Sequence, residues 1–444
     1  MDYKFSKYNL FIKKRNSEYY YFFNSNTGAT YLIDQEVKSQ IENNKLDNFP
    51  SEDLDSYIKS GMVVEKDVDE NRAFSYFYNR RKFNNDVLAI TMLLTYECNL
   101  RCIYCYEGAG EAIKGSLNDE TRDHVFEFIK KQLEARQSKA LSMVLFGGEP
   151  LLNFSDNYWW LDKIKTYCEE TGRIFGTSIV SNGILFTEEI LEKLVEYNCE
   201  MIQITLDGIK EIHDSRRIYK DGRGSFDEVI RGIKLIYNNP KITNPVIRIN
   251  IDKNNIQEVK DLLLYLHNEG LKDCFIDFGV VKGTTNACSS YTGNCFVEEE
   301  LGDVLDELWD VLEEYGFRYN INPQKREMFC GLFGDAAFTV SPFGEIYKCW
   351  DHVGMKEHLM GKIDENGDFS DVTYKYIDWM SHNPIDVPEC RDCKYLPTCG
   401  GGCASVSYSK DKTYHSSGCY KIKGVVEKQV ERIFNKRQEV IENA

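Results

Sequence analysis

The order of apolar segments along this 444-residue chain predicts an α/β fold. Three observations carry the prediction: six apolar runs of strand length, helical spacing between them, and a change of pattern near residue 86. Strands that alternate with helices in regular order lie in a parallel sheet. Chemistry in such sheets gathers at the C-terminal ends of the strands.

The runs 87–94, 141–146, 176–180, 201–206, 246–251 and 274–281 read as the six strands. Helical spacing fills 119–135, 159–171, 187–197, 225–238 and 256–268. Ahead of them, 8–13 and 18–23 read as paired strands, 24–28 as a turn-rich link and 30–33 as a third strand. Asp34 can cap a helix to about residue 43, and a second helix fits 52–60. Together they make a small α+β module of winged-helix size. Residues 67–86 are a charged linker or helix, 296–315 an acidic helical bridge, and 423–443 a charged amphipathic closing helix. The expected domains are 1–85, 86–295, 296–329 and 330–444, without internal repeats.

Hydrophobic residues make up 42% of the chain, which is ample for globular cores. A net charge of −17 argues against nucleic acid and membrane surfaces as partners, since both select basic faces. No apolar run approaches the ~18 residues of a membrane span, and the start Met1-Asp2-Tyr3-Lys4 lacks a signal-peptide layout. A cytoplasmic protein is expected.

In a reducing compartment cysteines point to metal or redox chemistry rather than disulfides. Fifteen are present, none before residue 98, and ten fall into two spaced groups. Cys98-x3-Cys102-x2-Cys105 directly follows the first strand. The second group is Cys330, Cys349, Cys390, Cys393, Cys399, Cys403 and Cys419. Thiolates are soft donors that suit iron–sulfur clusters, and a cubane takes four ligands. Three thiolates leave one iron open; seven close one cluster and leave a second one ligand short. Zinc is the alternative at Cys390-x2-Cys393, whose spacing is knuckle-like. Cys168, Cys199 and Cys274 lie in apolar patterns and read as core.

The first triplet, with Tyr104 before its last cysteine, resembles the radical S-adenosylmethionine (SAM) superfamily. Phe146-Gly147-Gly148-Glu149-Pro150 resembles that family's GGEP motif. The resemblance implies that Gly147 and Gly148 let the backbone approach the cofactor, while Glu149 receives the methionine amino group of SAM. Ser181 and Asn182, ending the third strand, correspond to the ribose and carboxylate contacts. His213-Asp214-Ser215-Arg216-Arg217 resembles the HDxxR stretch, whose arginine pairs with the SAM carboxylate; the register selects Arg217, with Arg216 the other choice. Taken alone, these stretches also read as a turn before a Pro-started helix and a surface charge run.

The C-terminal group, with Gly344-x4-Cys349, resembles the SPASM domain. That resemblance implies auxiliary cluster I on Cys330, Cys349 and Cys403, and auxiliary cluster II on Cys390, Cys393, Cys399 and Cys419. Residues 331–338 contain no further cysteine, so the fourth ligand of cluster I is a substrate cysteine, Cys288, Cys295 or nothing. Residues 23–32 and the helix after them resemble the leader-binding element of enzymes that mature ribosomally made peptides (RiPPs).

The whole resemblance implies a partial (β/α)6 TIM-type barrel, a winged-helix-like N-terminal module, a SPASM domain, three [4Fe-4S] clusters and SAM. A flavodoxin- or ferredoxin-type reductant would serve it. The implied activity is thioether formation in a Cys-containing precursor peptide, as in ranthipeptide and sactipeptide maturation. Carbon–carbon or carbon–oxygen crosslinking and formylglycine formation by an anaerobic sulfatase-maturating enzyme are the alternatives. A non-catalytic electron-transfer or peptide-binding scaffold is the reading outside enzymes.

Overall fold

The computed structural model describes residues 2–108 and 111–442. The last residue of the expected closing helix, 443, lies outside them. The N-terminal module begins with β1 (Tyr3–Phe5), then an antiparallel meander of β2 (Asn9–Lys13), β3 (Tyr20–Asn24) and β4 (Thr30–Ile33). In the β3–β4 turn, Asn24 Oδ1 accepts from the amides of Asn26 and Thr27. Asp34 accepts from the Val37 amide at 2.8 Å and so starts α1 (Gln35–Glu42), as the sequence suggested. After α2 (Ser51–Lys59), β5 (Val63–Glu65) returns to pair with β1. Phe22, Ile33, Ile41, Tyr57 and Met62 fill this small core. The stretch read as linker or helix is α3 (Glu70–Lys82), capped by Asp69.

The six expected strands are β6 (Val87–Thr95), β8 (Ala140–Gly147), β9 (Ile174–Ser181), β10 (Cys199–Thr205), β12 (Val246–Ile251) and β13 (Phe275–Val280). They lie side by side in chain order, each neighbouring pair parallel. The crossovers carry α4 (Asp119–Arg136), α5 (Tyr158–Glu170), α6 (Glu188–Glu196), α8 (Phe226–Tyr237) and α9 (Val259–Asn268); α7 (Lys210–Arg216) is a short extra helix after β10. Two short strands, β7 (Leu100–Cys102) and β11 (Arg217–Tyr219), form an antiparallel ladder of their own. This is the partial barrel.

The sheet does not stop there. β14 (Ala337–Val340) adds in parallel to the free side of β6, and β15 (Glu345–Tyr347), β16 (Gly361–Ile363) and β17 (Phe369–Ser370) follow antiparallel, making ten strands in all. All four residues of β14 are buried, and Phe338, Val340, Ile346 and Trp379 belong to the same core as the barrel. The sequence suggested a region with a thin core held by its clusters. The structure corrects this: these strands, of two to four residues, are too short to show a period, and they borrow the barrel's core.

α10 (Glu298–Tyr315) bridges to the C-terminal region. There α11 (Tyr374–Ser381), α12 (Pro388–Arg391), α13 (Leu396–Cys399) and α14 (Ala404–Asp411) precede the closing helix α15 (Val425–Glu442). Arg432 of α15 reaches Asp306 at 2.8 Å and Asp310 at 2.6 Å on α10, and Arg15 pairs with Asp306 and with Glu431 at 3.1 Å. Leu10, Ile12, Tyr21 and Phe23 of the N-terminal module pack with Cys399, Ile422 and Val426. The module thus seats on the C-terminal cysteine block. No helix among the described residues is long and apolar enough to cross a membrane.

Candidate active site

The first cysteine triplet hangs from the end of β6, and two backbones hold it from behind. Gly147 lies at φ +141°, where a Cβ would stand 2.3 Å from the Thr95 carbonyl oxygen. A Cβ on Gly148 would stand 2.4 Å from the Glu97 carbonyl oxygen. The amides of Gly148 and Glu149 donate to those same carbonyls at 3.0 and 2.9 Å. The glycine pair therefore lets the β8 end lie flush on the segment that leads into Cys98. From the front, β7 pairs with β11 so that Cys102 stands opposite Arg217.

Glu149 is fully buried and ties the β8 end to the β9 end. Its carboxylate accepts from Ser181 Oγ at 2.8 Å, the Asn182 amide at 2.7 Å and the Leu151 amide at 3.1 Å. Burial nevertheless pushes its pKa up. Gly147, Gly148, Ser181, Asn182, Tyr104 and Arg217 line the main cavity; Glu149 stands behind that wall. Asn182 Nδ2 reaches on to Asn99 Oδ1 at 2.7 Å, beside Cys98.

The two arginines have separate tasks. Arg216 is buried against Asp252 at 2.7 Å and Asp207 at 3.7 Å. Arg217 faces the cavity, donates to Tyr104 Oη at 2.8 Å, and leaves its buried Nε without a partner. An orphaned guanidinium N–H beside the triplet fits a carboxylate ligand. Tyr104 in turn donates to Asp207 and accepts from Asn250 Nδ2 at 3.2 Å. Asp207 and Asn250, which the sequence reading left without roles, orient both groups.

One cavity of about 590 Å³ joins the two ends of the site. Cys98, Cys102 and Cys105 line one end, and Cys330, Cys349 and Cys403 the other. Phe146 and Trp350 stack between them, with ring centroids 5.9 Å apart. The electrostatics sort the cysteines in the same way. Cys98 is pushed up by burial and by Glu149, then by Cys102 and Cys105. Cys349 rises through burial, Asp351, Cys403 and Cys330. Cys390 reaches about 12 through burial, Cys419 and Cys393, and Cys399 about 12 through burial, Cys419, Cys390 and Cys393. The thiols thus act on one another within groups: Cys98 feels Cys102 and Cys105, Cys349 feels Cys330 and Cys403, and Cys390 and Cys399 feel Cys393 and Cys419. Neutral thiols tolerate such crowding, and a bound cation would invert the preference and release the protons.

An all-thiol donor set fits iron–sulfur ligation. No three His, Cys, Asp or Glu side chains among the described residues converge tightly enough to hold a single ion. Cys288 is buried against Thr285 Oγ1 at 3.3 Å and the Lys282 carbonyl at 3.5 Å, and Cys295 contacts the Tyr291 carbonyl. Neither lines the cavity. Lys282, Asp351 and Glu107 do, and none was singled out in the sequence. Burial pushes Glu107 up to about 7.

Residues 92–266 match the family described as the radical SAM superfamily. The chain carries a radical SAM domain and is an enzyme of that superfamily. This radical SAM enzyme is 26% identical over 332 residues to a cysteine-type anaerobic sulfatase-maturating enzyme of Clostridium novyi, covering 69% of this chain and 84% of that one. It is 24% identical over 447 residues to the radical SAM cyclopropyl synthase TigE of Paramaledivibacter caminithermalis, covering 90% and 89%. Among solved structures, Streptococcus suis SuiB bound to its precursor peptide SuiA superposes with a TM-score of 0.54 at 15% identity, covering 95% of this chain and all of that one. The last likeness is one of fold.

Proposed function

We propose that this radical SAM enzyme matures a Cys-containing precursor peptide by forming thioether crosslinks from cysteine sulfur to carbon. The observation that carries the reading is the shared cavity, with a three-thiol set at each end. In this reading Cys98, Cys102 and Cys105 hold the first [4Fe-4S] cluster, Cys330, Cys349 and Cys403 auxiliary cluster I, and Cys390, Cys393, Cys399 and Cys419 auxiliary cluster II. When bound, the first cluster and SAM supply a hydrogen-abstracting radical, and auxiliary cluster I supplies a thiophilic iron and an electron acceptor.

The chain's own residues bind and orient. Arg217 offers its free N–H to the SAM carboxylate, with Tyr104 and Asp207 holding the guanidinium in place. Ser181 and Asn182 present the rest of that wall, braced from behind by Glu149. Phe146, Trp350, Met201 and Val280 line the space between the ends and keep water from a reactive carbon. With Cys288 and Cys295 turned elsewhere, the auxiliary set keeps a place for a substrate thiolate. The N-terminal module supplies the leader site, where β4, the outer strand of its meander, can take an added peptide strand.

The test combines reconstituted enzyme, SAM, a one-electron reductant of the flavodoxin or ferredoxin class, and a Cys-containing precursor. The expected product is lighter by two hydrogens per crosslink and has lost one free thiol for each. A carbon–carbon product is the second reading, favoured by the match to the cyclopropyl synthase over 90% of the chain, which must include part of the N-terminal module. It would keep every thiol. An aldehyde in place of a cysteine would instead support sulfatase maturation.

A further inference from the structure

Lys282 lies two residues beyond β13, the last barrel strand, and its side chain enters the auxiliary end of the cavity. Nζ stands 3.0 Å from Asp351 Oδ2 and 3.9 Å from Cys403 Sγ, and 5.1 Å from the centre of the Tyr420 ring. One cation thus meets a carboxylate, a sulfur of the three-thiol set and an aromatic face. An ion pair explains the contact to Asp351; the contact to sulfur is one that an ion pair does not require.

We propose that Lys282 is a positioning residue for the auxiliary centre at Cys330, Cys349 and Cys403, where it donates a hydrogen bond to the Cys403 sulfur and sets how readily the centre accepts an electron. This rests on the reading that those three thiols hold a cluster. Cluster potentials follow the hydrogen bonds to sulfur and the net charge nearby. Reduction adds one electron and no proton, so negative charge grows and an adjacent ammonium favours the reduced form. The demand arises in the thioether step. A substrate thiolate and a carbon-centred radical form a two-electron bond with one electron left over, which a cluster held by Cys330, Cys349 and Cys403 would accept.

The experiment is a potentiometric titration with dithionite, followed by electron paramagnetic resonance, in a full-length background where Cys98, Cys102 and Cys105 are alanine. Only the auxiliary signals remain there, and the centre at Cys390, Cys393, Cys399 and Cys419 serves as internal reference. K282Q is expected to move the cluster I midpoint to more negative potential, K282R to restore most of it, and D351N to move it positive by removing a nearby negative charge. With iron fully loaded, unmoved midpoints in K282Q and D351N overturn the role of Lys282 and leave the cluster reading intact. Should K282Q fail to load iron, K282M is titrated in its place: a negative shift supports the role and no shift overturns it. The intact chain binding ~4 rather than ~12 iron atoms would sink the cluster reading itself, and this inference with it.

Discussion

The two ends of the cavity are built differently. At the radical SAM end, polar groups satisfy one another: Glu149 with Ser181 and Asn182, Tyr104 with Asp207 and Asn250, Arg216 with Asp252. The buried Nε atoms of Arg216 and Arg217 are left without hydrogen bonds, and of the two arginines it is Arg217 that lines the cavity. At the auxiliary end three thiols share the lining with the ion pair of Lys282 and Asp351 and with apolar side chains such as Leu332, Phe333 and Trp379. On the proposed function, the first end suits a ligand of fixed form, and the second one that changes, as a peptide side chain must.

The largest expected contrast follows directly. C98A is expected to abolish reductive cleavage of SAM, measured as 5′-deoxyadenosine, whereas C349A keeps cleavage and loses the crosslinked peptide. Equal loss of cleavage in both would dissolve the division between the two ends. Next come the neighbouring arginines. R216A leaves Asp252 buried without its partner and should cost about 3–5 kcal/mol of stability, read in denaturant titrations. R217A should keep most of the stability and weaken SAM binding by about 1.5–3 kcal/mol, or ~10–100-fold, read by calorimetry. The reverse pattern would make Arg216 the ligand.

G148A is expected to cost about 1–3 kcal/mol, because its Cβ would press on the Glu97 carbonyl and must move the loop bearing Cys98. Iron loading at the first triplet should fall while the auxiliary sets load normally; normal loading at all three would separate the glycine from the loop. The smallest effect is at the module junction. Burial alone would raise the Asp306 pKa, but hydrogen bonds from Arg432 and Arg15 hold it below the ordinary carboxylate value. With the folded pKa depressed, this contribution is complete above the ordinary carboxylate pKa and fades as pH falls through the lower, folded value. Hydrogen exchange in 9–24 and 425–437 should therefore quicken on acidification, and D306N should flatten that response. A response that survives D306N would assign it to another carboxylate.

Much of the barrel was legible because its strands and helices are long enough to show a period, and each matches its expected span within three residues at either end. The cysteine spacings were legible for a similar reason, since ligands close in sequence must be close in space. Other features were not. β14 has four residues, too few to reveal that it would extend the barrel sheet. Nothing local showed that the Glu149 carboxylate would find three donors on its own chain. Nor did anything local show that a Cβ on Gly147 or Gly148 would strike the chain at 95–97.

The sequence by itself determined the fold class, and through its resemblance to radical SAM and SPASM motifs it offered the cysteine sets and Arg217 as candidates. Only the tertiary structure decided that two of those sets share one cavity, that Cys288 and Cys295 stay out of it, and that Lys282 reaches Asp351 and Cys403 across 69 and 121 residues. The physical reason is separation along the chain. Periodicity and ligand spacing are local properties, whereas a charge meeting a sulfur from another part of the chain depends on how the sheet, its crossovers and the C-terminal strands close around a common space.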